Sequence, residues 1–407
     1  MNMTGIKITG IILLVLAITI FGIVWTRNRI GAGVPIVFSD KSMLAVLWTD
    51  YKTNYVDSSG RAINTEQGDE TTSEGESYSM LRAVWMDDKP TFDLTYNWTK
   101  ANLARKGDHL SSWLYGKEAT TTSSSSDTYG VLTDQGGYNS ATDADTDIAL
   151  SLIFAANRWD QPSYLSDAKL IVADIWSKDV VTINGTPYLT ADDLEKTSSA
   201  EPLIDPSYFE PYAYRIFATI DTNPKDDWLA LASSSYAILN ETADQNLDTQ
   251  TSAGLPPDWI KISRVNGSIS AVGTSSLTTN FGYDAMRVPF RIALDYQWNQ
   301  APEAKAYLQK LSFLSEEWTK NKSIASTYTH AGDVVSSQEV PAMYGGTIGY
   351  FMVNDPKDAP NVYSEKLKFL FSEDNETWKE ALSYYDANWA WFGMALYDGL
   401  LPNLSKK

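Results

Sequence analysis

Apolar positions fall along this chain in two patterns. From Ile8 to Thr26 they run without a charge (ITGIILLVLAITIFGIVWT), and as a helix rising about 1.5 Å per residue this stretch covers a hydrocarbon core of roughly 30 Å. It reads as a membrane helix or as the apolar part of a signal peptide. It is longer than a signal core of roughly 7 to 15 residues, and Arg27 and Arg29 stand where a small-residue cleavage site belongs. An uncleaved membrane anchor over 1–29 is expected, with secretion after cleavage as the alternative. A Gly/Pro-containing linker follows over 30–39, and no comparably clear break divides residues 40–407, which read as one domain. There the apolar spacing becomes helical: Met80, Leu81, Val84 and Trp85, then Phe92, Tyr96 and Leu103, then Ile148, Leu152, Ala155 and Trp159, then Ala301 to Trp318. Polar stretches at 120–127 (TTTSSSSD) and 239–253 read as loops. No run of evenly spaced alternating strands occurs. The pattern predicts an all-α fold, a toroid of helical hairpins preceded by one N-terminal transmembrane helix.

Composition narrows the chemistry. Among 407 residues, 32 Lys and Arg face 51 Asp and Glu, a net charge of −19. A nucleic-acid binder gains affinity by replacing counterions with Lys and Arg; no basic run occurs, so DNA and RNA are excluded as partners. With no Cys and only His109 and His330, disulfide frameworks, thiolate zinc sites and cysteine nucleophiles fall away together. Carboxylates are left to carry any catalysis, and no cofactor or metal is expected. Lys7 and the α-amine on one side of the apolar stretch nearly balance Arg27, Arg29 and Lys41 on the other. Because long domains translocate largely regardless of such counts, the expected topology is single-pass in the cell membrane with the domain extracytoplasmic.

Three segments set acids beside Gly, Tyr or Arg. The first, Thr72-Ser73-Glu74-Gly75-Glu76-Ser77-Tyr78, puts Glu74 at the entrance of a helix, where an acid also serves the macrodipole. The second, Ala141-Thr142-Asp143-Ala144-Asp145-Thr146-Asp147, leads into an apolar-faced helix. Its alternating Asp residues are not a calcium loop, because counting from Asp143 the sixth and twelfth positions are Ile148 and Phe154 rather than Gly and Glu. An Asp N-cap accounts for one or two of the three acids. In the third, Asp284, Arg287 and Arg291 are embedded among Phe281, Tyr283, Val288 and Phe290, which suits a buried ion pair. Carboxyl groups far apart in sequence and flanked by Tyr and Trp also suit a glycosidase, in which one acid protonates the leaving oxygen and one carboxylate activates water or attacks.

Together these segments resemble glycoside hydrolase family 8, a family of inverting endo-β-1,4-glucanases with relatives acting on xylan, mixed-linkage glucan and chitosan. Residues 141–155, ending near Trp159, look like the family signature, and Ser73-Glu74-Gly75 with Tyr78 and Met80 resembles the segment carrying its general acid. Asp205-Pro206-Ser207-Tyr208-Phe209-Glu210-Pro211 with Tyr214-Arg215 is similar to a motif that usually begins with Asn. Gly254-Leu255-Pro256-Pro257-Asp258-Trp259 and the chain-end segment Tyr384-Tyr385-Asp386-Ala387-Asn388-Trp389 also correspond. Tyr283-Asp284-Ala285 with Arg287, Pro289 and Arg291 matches too, Phe290 standing where Trp is common.

The resemblance implies an (α/α)6 barrel with a cleft across one end. It implies Glu74 as general acid, Asp284 as general base and Asp143 as the group that binds the distorted sugar and orders the attacking water. Tyr208, Arg287, Tyr78 and Tyr138 become substrate-binding positions, while Asp145 and Asp147 take supporting or capping places. The implied substrate is a β-1,4-linked polysaccharide, a cellulose-like glucan first, with xylan, mixed-linkage glucan and chitosan as alternatives. A tether beside such an enzyme also points to a polysaccharide synthase or export machinery as a partner, and a non-catalytic polysaccharide-binding protein is the alternative from another class.

Overall fold

The computed structural model describes residues 40–118, 128–198, 200–248, 250–273 and 277–406. The expected anchor (1–29), the linker (30–39) and the Ser/Thr-rich loop at 120–127 lie outside the described residues. Among the described residues no helix is long and apolar enough to cross a membrane. Asp40–Lys407 packs as one unit.

Helices dominate. In chain order the principal ones are α1 (Asp40–Tyr55), α2 (Ser73–Trp85), α3 (Lys89–Asn102), α4 (Thr142–Arg158), α5 (Pro162–Asp179), α6 (Pro211–Ile220), α7 (Trp228–Asp244), α8 (Arg287–Asn299), α9 (Pro302–Leu308), α10 (Pro341–Asn354), α11 (Ala359–Val362) and α12 (Tyr384–Tyr397). Their beginnings are written locally. Proline occupies the first turn of α3, α5, α6, α9, α10 and α11, where its missing N–H costs nothing. Thr72, Asp88, Asp227 and Ser383 cap α2, α3, α7 and α12 with side-chain oxygens that accept backbone N–H groups.

The even-numbered helices neighbour one another in turn, α2 on α4, α4 on α6, α6 on α8, α8 on α10 and α10 on α12. The ring closes where Tyr78 of α2 meets Trp389 and Phe392 of α12 edge-on and Arg82 donates to Asn388 Oδ1 at 2.7 Å. Each inner helix has an outer neighbour: α3 packs on α2, α5 on α4, α7 on α6, α9 on α8, α11 on α10 and α1 on α12. This double ring is consistent with the expected (α/α)6 barrel. Inner helices are covered on all sides, as α4 shows by burying every residue from Thr142 to Ala156, so their sequences lose the polar stripe that marks a surface helix. Where α10 and α12 cross, a Cβ on Gly345 would stand 2.0 Å from Trp389 O; only glycine admits that approach.

Two sequence expectations are corrected. The polar stretch at 239–253 is helical as far as Asp244, because Leu239, Thr242 and Ala243 are buried on α7 and packing overrides composition. The single helix expected over 301–318 is broken into α9 and a helix at Phe313–Asn321. Among the described residues the connections also hold twelve strands of two to four residues in five small sheets. Most are too short to leave a period in the sequence; one, Val180–Ile183 paired with Thr186–Leu189, turns at Asn184-Gly185 with positive φ at both residues, a hairpin signal that the sequence carries openly.

Because an outer helix separates successive inner ones, all inner helices run the same way. Their N-termini therefore gather at one end of the ring. That end carries the starts of α2, α4, α8 and α12, and the three acidic segments are the chain entering α2, α4 and α8.

Candidate active site

Glu74 lies in the first turn of α2, set by the Thr72 cap, whose Oγ1 accepts the Gly75 N–H at 3.1 Å. A Cβ on Gly75 would meet the Tyr384 hydroxyl at 2.2 Å, so glycine lets the start of α12 close against that of α2. Asp143 lies in the first turn of α4, where its Oδ1 accepts the Ala144 N–H. The side chain does not cap that helix; the cap position is Ala141. Its two acidic neighbours point elsewhere, Asp145 to the Ser111 N–H at 2.8 Å and Asp147 to Arg291 at 3.5 Å.

Asp284 stands on the turn that enters α8. That turn is folded around Asp258, whose Oδ1 accepts the N–H groups of Gly282, Asp284 and Ala285 at 3.1, 3.2 and 2.8 Å. Asp284 Oδ2 accepts from Trp259 Nε1 at 3.0 Å, and Oδ1 from Arg287 Nη2 at 2.8 Å. Asp258 and Trp259 belong to a segment that the motif resemblance matches without giving it a role; what ties them to Asp284 is tertiary.

Arg287, the first residue of α8, is the hub. Its Nη1 lies 2.5 Å from Glu74 Oε2 and 3.2 Å from Asp143 Oδ2, and its Nη2 3.2 Å from Asp205 Oδ2 and 2.8 Å from Asp284 Oδ1. Tyr208 places its ring 5.3 Å from the guanidinium, close enough for a cation–π contact. Arg291, one turn further along α8, reaches Asp147, Asp143 at 3.8 Å and, in direct contact, Glu210.

Exposure divides this set. The side chains of Glu74 and Asp284 are 24% and 36% exposed, against 2% for both Arg287 and Asp143. Glu74 and Asp284 open into a cavity of about 370 Å³ lined also by Asn64, Gln67, Tyr283 and Tyr385. Tyr385 donates to the Tyr283 carbonyl at 2.5 Å with the two rings edge to face. Burial pushes the Glu74 carboxyl up to about 7; Arg287 works against this, and Asp143 and Asp284 add to it. Asp258 is likewise raised to about 7 by burial and by Asp284, against its three backbone N–H groups.

The structure thus brings together five of the seven residues expected at the site: Glu74, Asp143, Asp284, Arg287 and Tyr208. Tyr78 lies beneath Glu74 and is 2% exposed, its ring packed on Trp389 and Phe392, so it supports the acid from the barrel core instead of lining the cleft. Tyr138 stands apart from the carboxyl cluster: its hydroxyl accepts the Lys106 N–H at 2.6 Å and Arg105 lies over its ring. Sequence reasoning placed Asp205, Asp258, Trp259 and Tyr385 within the matching motifs without assigning them a role. No group of His, Cys, Asp and Glu among the described residues is arranged to hold a metal ion.

A closed double ring of helices that gathers two partly exposed carboxyls on one arginine in an aromatic cleft has the groups that acid–base cleavage of a glycosidic bond requires. Comparison with known proteins makes the class specific. The profile described as glycosyl hydrolases family 8 matches residues 26–395, and the chain belongs to that family. It is 31% identical over 343 residues to Endoglucanase 2 of Ruminiclostridium josui, an alignment covering 81% of this chain and 66% of that one. The chain thus spans just under two thirds of this relative's length. The fold is similar to that of a β-1,3-1,4-glucanase from Paenibacillus sp. X4 (TM-score 0.72, 23% identity, 90% of this chain and 94% of that one). It is also similar to an endo-1,4-D-glucanase from Vibrio fischeri ES114 (TM-score 0.70, 23% identity, 86% and 94%).

Proposed function

We propose that the chain is an inverting endo-β-1,4-glucanase in which Glu74 is the general acid and Asp284 the general base. The observation that carries this reading is the division of exposure: of the carboxyls gathered on Arg287, these two alone open into the cleft, and they are held on different nitrogens of one guanidinium. Inversion needs a water between the base and the anomeric carbon, with the two carboxyls roughly 6.5 to 9.5 Å apart. Glu74, raised by burial, carries the proton that the departing oxygen takes up. Asp284, oriented by Arg287 and Trp259, draws a proton from water as that water attacks the anomeric carbon from the opposite face. Asp143, sealed under Arg287, holds the guanidinium toward both reacting carboxyls, and the family resemblance gives it the distorted sugar and the attacking water to position. Tyr283 and Tyr385 offer faces on which sugar rings stack. Family membership and the names of the similar proteins favour a β-1,4-linked glucan, cellulose-like or mixed-linkage; xylan and chitosan are the further substrates to test.

The apolar stretch at 8–26 supports a second part of this reading, that the enzyme is tethered to the cell membrane with its catalytic domain outside, where it trims a polysaccharide as an export machinery delivers it. Protease added to intact cells should then remove the domain, whereas a soluble mature chain beginning after Arg29 would replace the tether with a cleaved signal.

Reducing-sugar release from carboxymethyl-cellulose, lichenan, xylan and chitosan tests the activity, and turnover of none of them would favour a binding protein. Proton NMR of the first product tests the mechanism: the α-anomer is expected, and the β-anomer overturns inversion. Glu74→Gln should be rescued in part by substrates with a good leaving group and Asp284→Asn should not, since only the first lacks a proton donor.

A further inference from the structure

Six carboxyl groups, those of Glu74, Asp143, Asp147, Asp205, Glu210 and Asp284, gather around two guanidinium groups at this end of the barrel. Two positive charges cannot balance six negative ones when four of the six carboxyls, those of Asp143, Asp147, Asp205 and Glu210, are sealed from water. Asp143 touches both arginines, Glu210 contacts Arg291 directly, and Asp284 keeps one side open to solvent. Asp147 and Asp205 have none of these supports, and Asp205 is the one that shares Arg287 with Glu74 and Asp284. Its side chain is 0% exposed, it reaches Arg287 alone, and it shares the Nη2 nitrogen with Asp284, at 3.2 Å against 2.8 Å for its rival. Its other oxygen accepts the Ser207 N–H at 2.7 Å, which fixes the carboxyl plane.

We propose that Asp205 is a positioning residue that works as a neutral carboxylic acid, holding Arg287 in place from beneath the cleft while leaving the guanidinium charge to Asp284 and Asp143. A proton on Asp205 removes the repulsion between two carboxylates gathered on one nitrogen. The groups facing it agree with this assignment. Among the described residues Arg287 of α8 is the one cation it reaches, and Asp284, on the turn before α8, is acidic. Asp143 and Glu74, from α4 and α2, share the same guanidinium, and Tyr208 of its own turn and Tyr385 of α12 are phenols. Tyr236 of α7, packed on the far side of the turn, donates instead to Asp295. Burial first, then Asp284, raise the Asp205 carboxyl well above the ordinary range, with Arg287 opposing. The inference rests on the roles given above to Glu74 and Asp284.

Asp205→Asn keeps the shape and neutrality of the acid form, so in the full-length chain it removes the titratable proton and leaves the packing around Arg287 in place. Melting reads the proton itself. An acid raised by folding supports the fold below its unfolded value and loses that support as pH rises through the folded one. The unaltered chain should therefore lose ground to Asp205→Asn as pH rises above about 4, the gap in Tm widening by a few degrees. A purely structural role would give a gap independent of pH. A gap that stays constant, or that turns against the variant as pH rises, overturns the proposal. Should Asp205→Asn fail to fold, neutron diffraction of the unaltered chain at about pH 6 decides the point: a deuteron on the Asp205 carboxyl supports the proposal and a bare carboxylate overturns it. Melting needs no turnover, so this test stands apart from the catalytic assignment, which falls separately if Glu74→Gln or Asp284→Asn keeps full activity on carboxymethyl-cellulose.

Discussion

Two oxygens of one carboxylate set the demands at the residue scale. As the proposed base, Asp284 must be aimed at the attacking water, and its Oδ2 accepts from Trp259 Nε1 at 3.0 Å. A hydrogen bond to a charged group is worth about 1.5–3 kcal/mol, so Trp259→Phe, which keeps the ring against Tyr208, should lower kcat by about ten- to a hundredfold with little change in Tm; steady-state kinetics and a melting curve check this together. Glu74 faces a different demand and must hold its proton. With its carboxyl raised to about 7, activity should decline as pH rises through that value, and the alkaline limb of the kcat/KM profile should vanish in Glu74→Gln assayed on a substrate with a good leaving group. The limbs report apparent values of the coupled cluster, because Asp143 and Asp284 both act on Glu74.

Single atoms at helix crossings decide whether the elements close into a ring. Inner helices α10 and α12 meet with Gly393 Cβ, if it existed, 2.4 Å from Gly345 Cα, so the pair depends on two glycines facing each other. Gly345→Ala forces a methyl group into the Trp389 carbonyl and should cost about 1–3 kcal/mol as overpacking, read as a lower Tm. Since α12 also carries Tyr385 into the cleft, KM for a soluble glucan should rise in the same variant. Helix starts have a second meaning here. The N-terminus of a helix is its positive end, and the chain places Glu74, Asp143 and Asp284 at or just before three such ends. One-dimensional reading located Glu74 and the acids of 143–147 at helix entrances, yet capping explained too little: none of the three Asp residues of 143–147 caps α4, whose cap position is Ala141.

Across the whole molecule, the buried acids give stability a direction in pH. Burial raises Glu76 and Asp179 well above the ordinary range, Asp145 to about 8 and Asp147 and Asp258 to about 7. Each binds its proton more tightly folded than unfolded, so each supports the fold fully below about pH 4 and ceases to as pH rises toward 8. The net charge of −19 adds self-repulsion over the same interval. Tm should therefore be higher at about pH 5 than at about pH 8, a difference calorimetry would read directly, and a higher Tm at the alkaline end would show that these acids are ionised in the folded chain. The amino-acid sequence by itself determined the helical class, the uncharged stretch at 8–26, and the identity of Glu74, Asp143 and Asp284 as the acids worth following, because helix periodicity, caps and motif spacing are local properties. Only the tertiary structure decided that Arg287 lies 2.5 Å from an acid 213 positions earlier in the chain, that Asp205 and Trp259 flank the same carboxylate, that Tyr78 is buried beneath the acid and that Tyr138 stands apart. Which carboxyl is open to water and which is sealed depends on how the inner helices gather their N-termini at one end of the ring, and no local pattern encodes the distances between them.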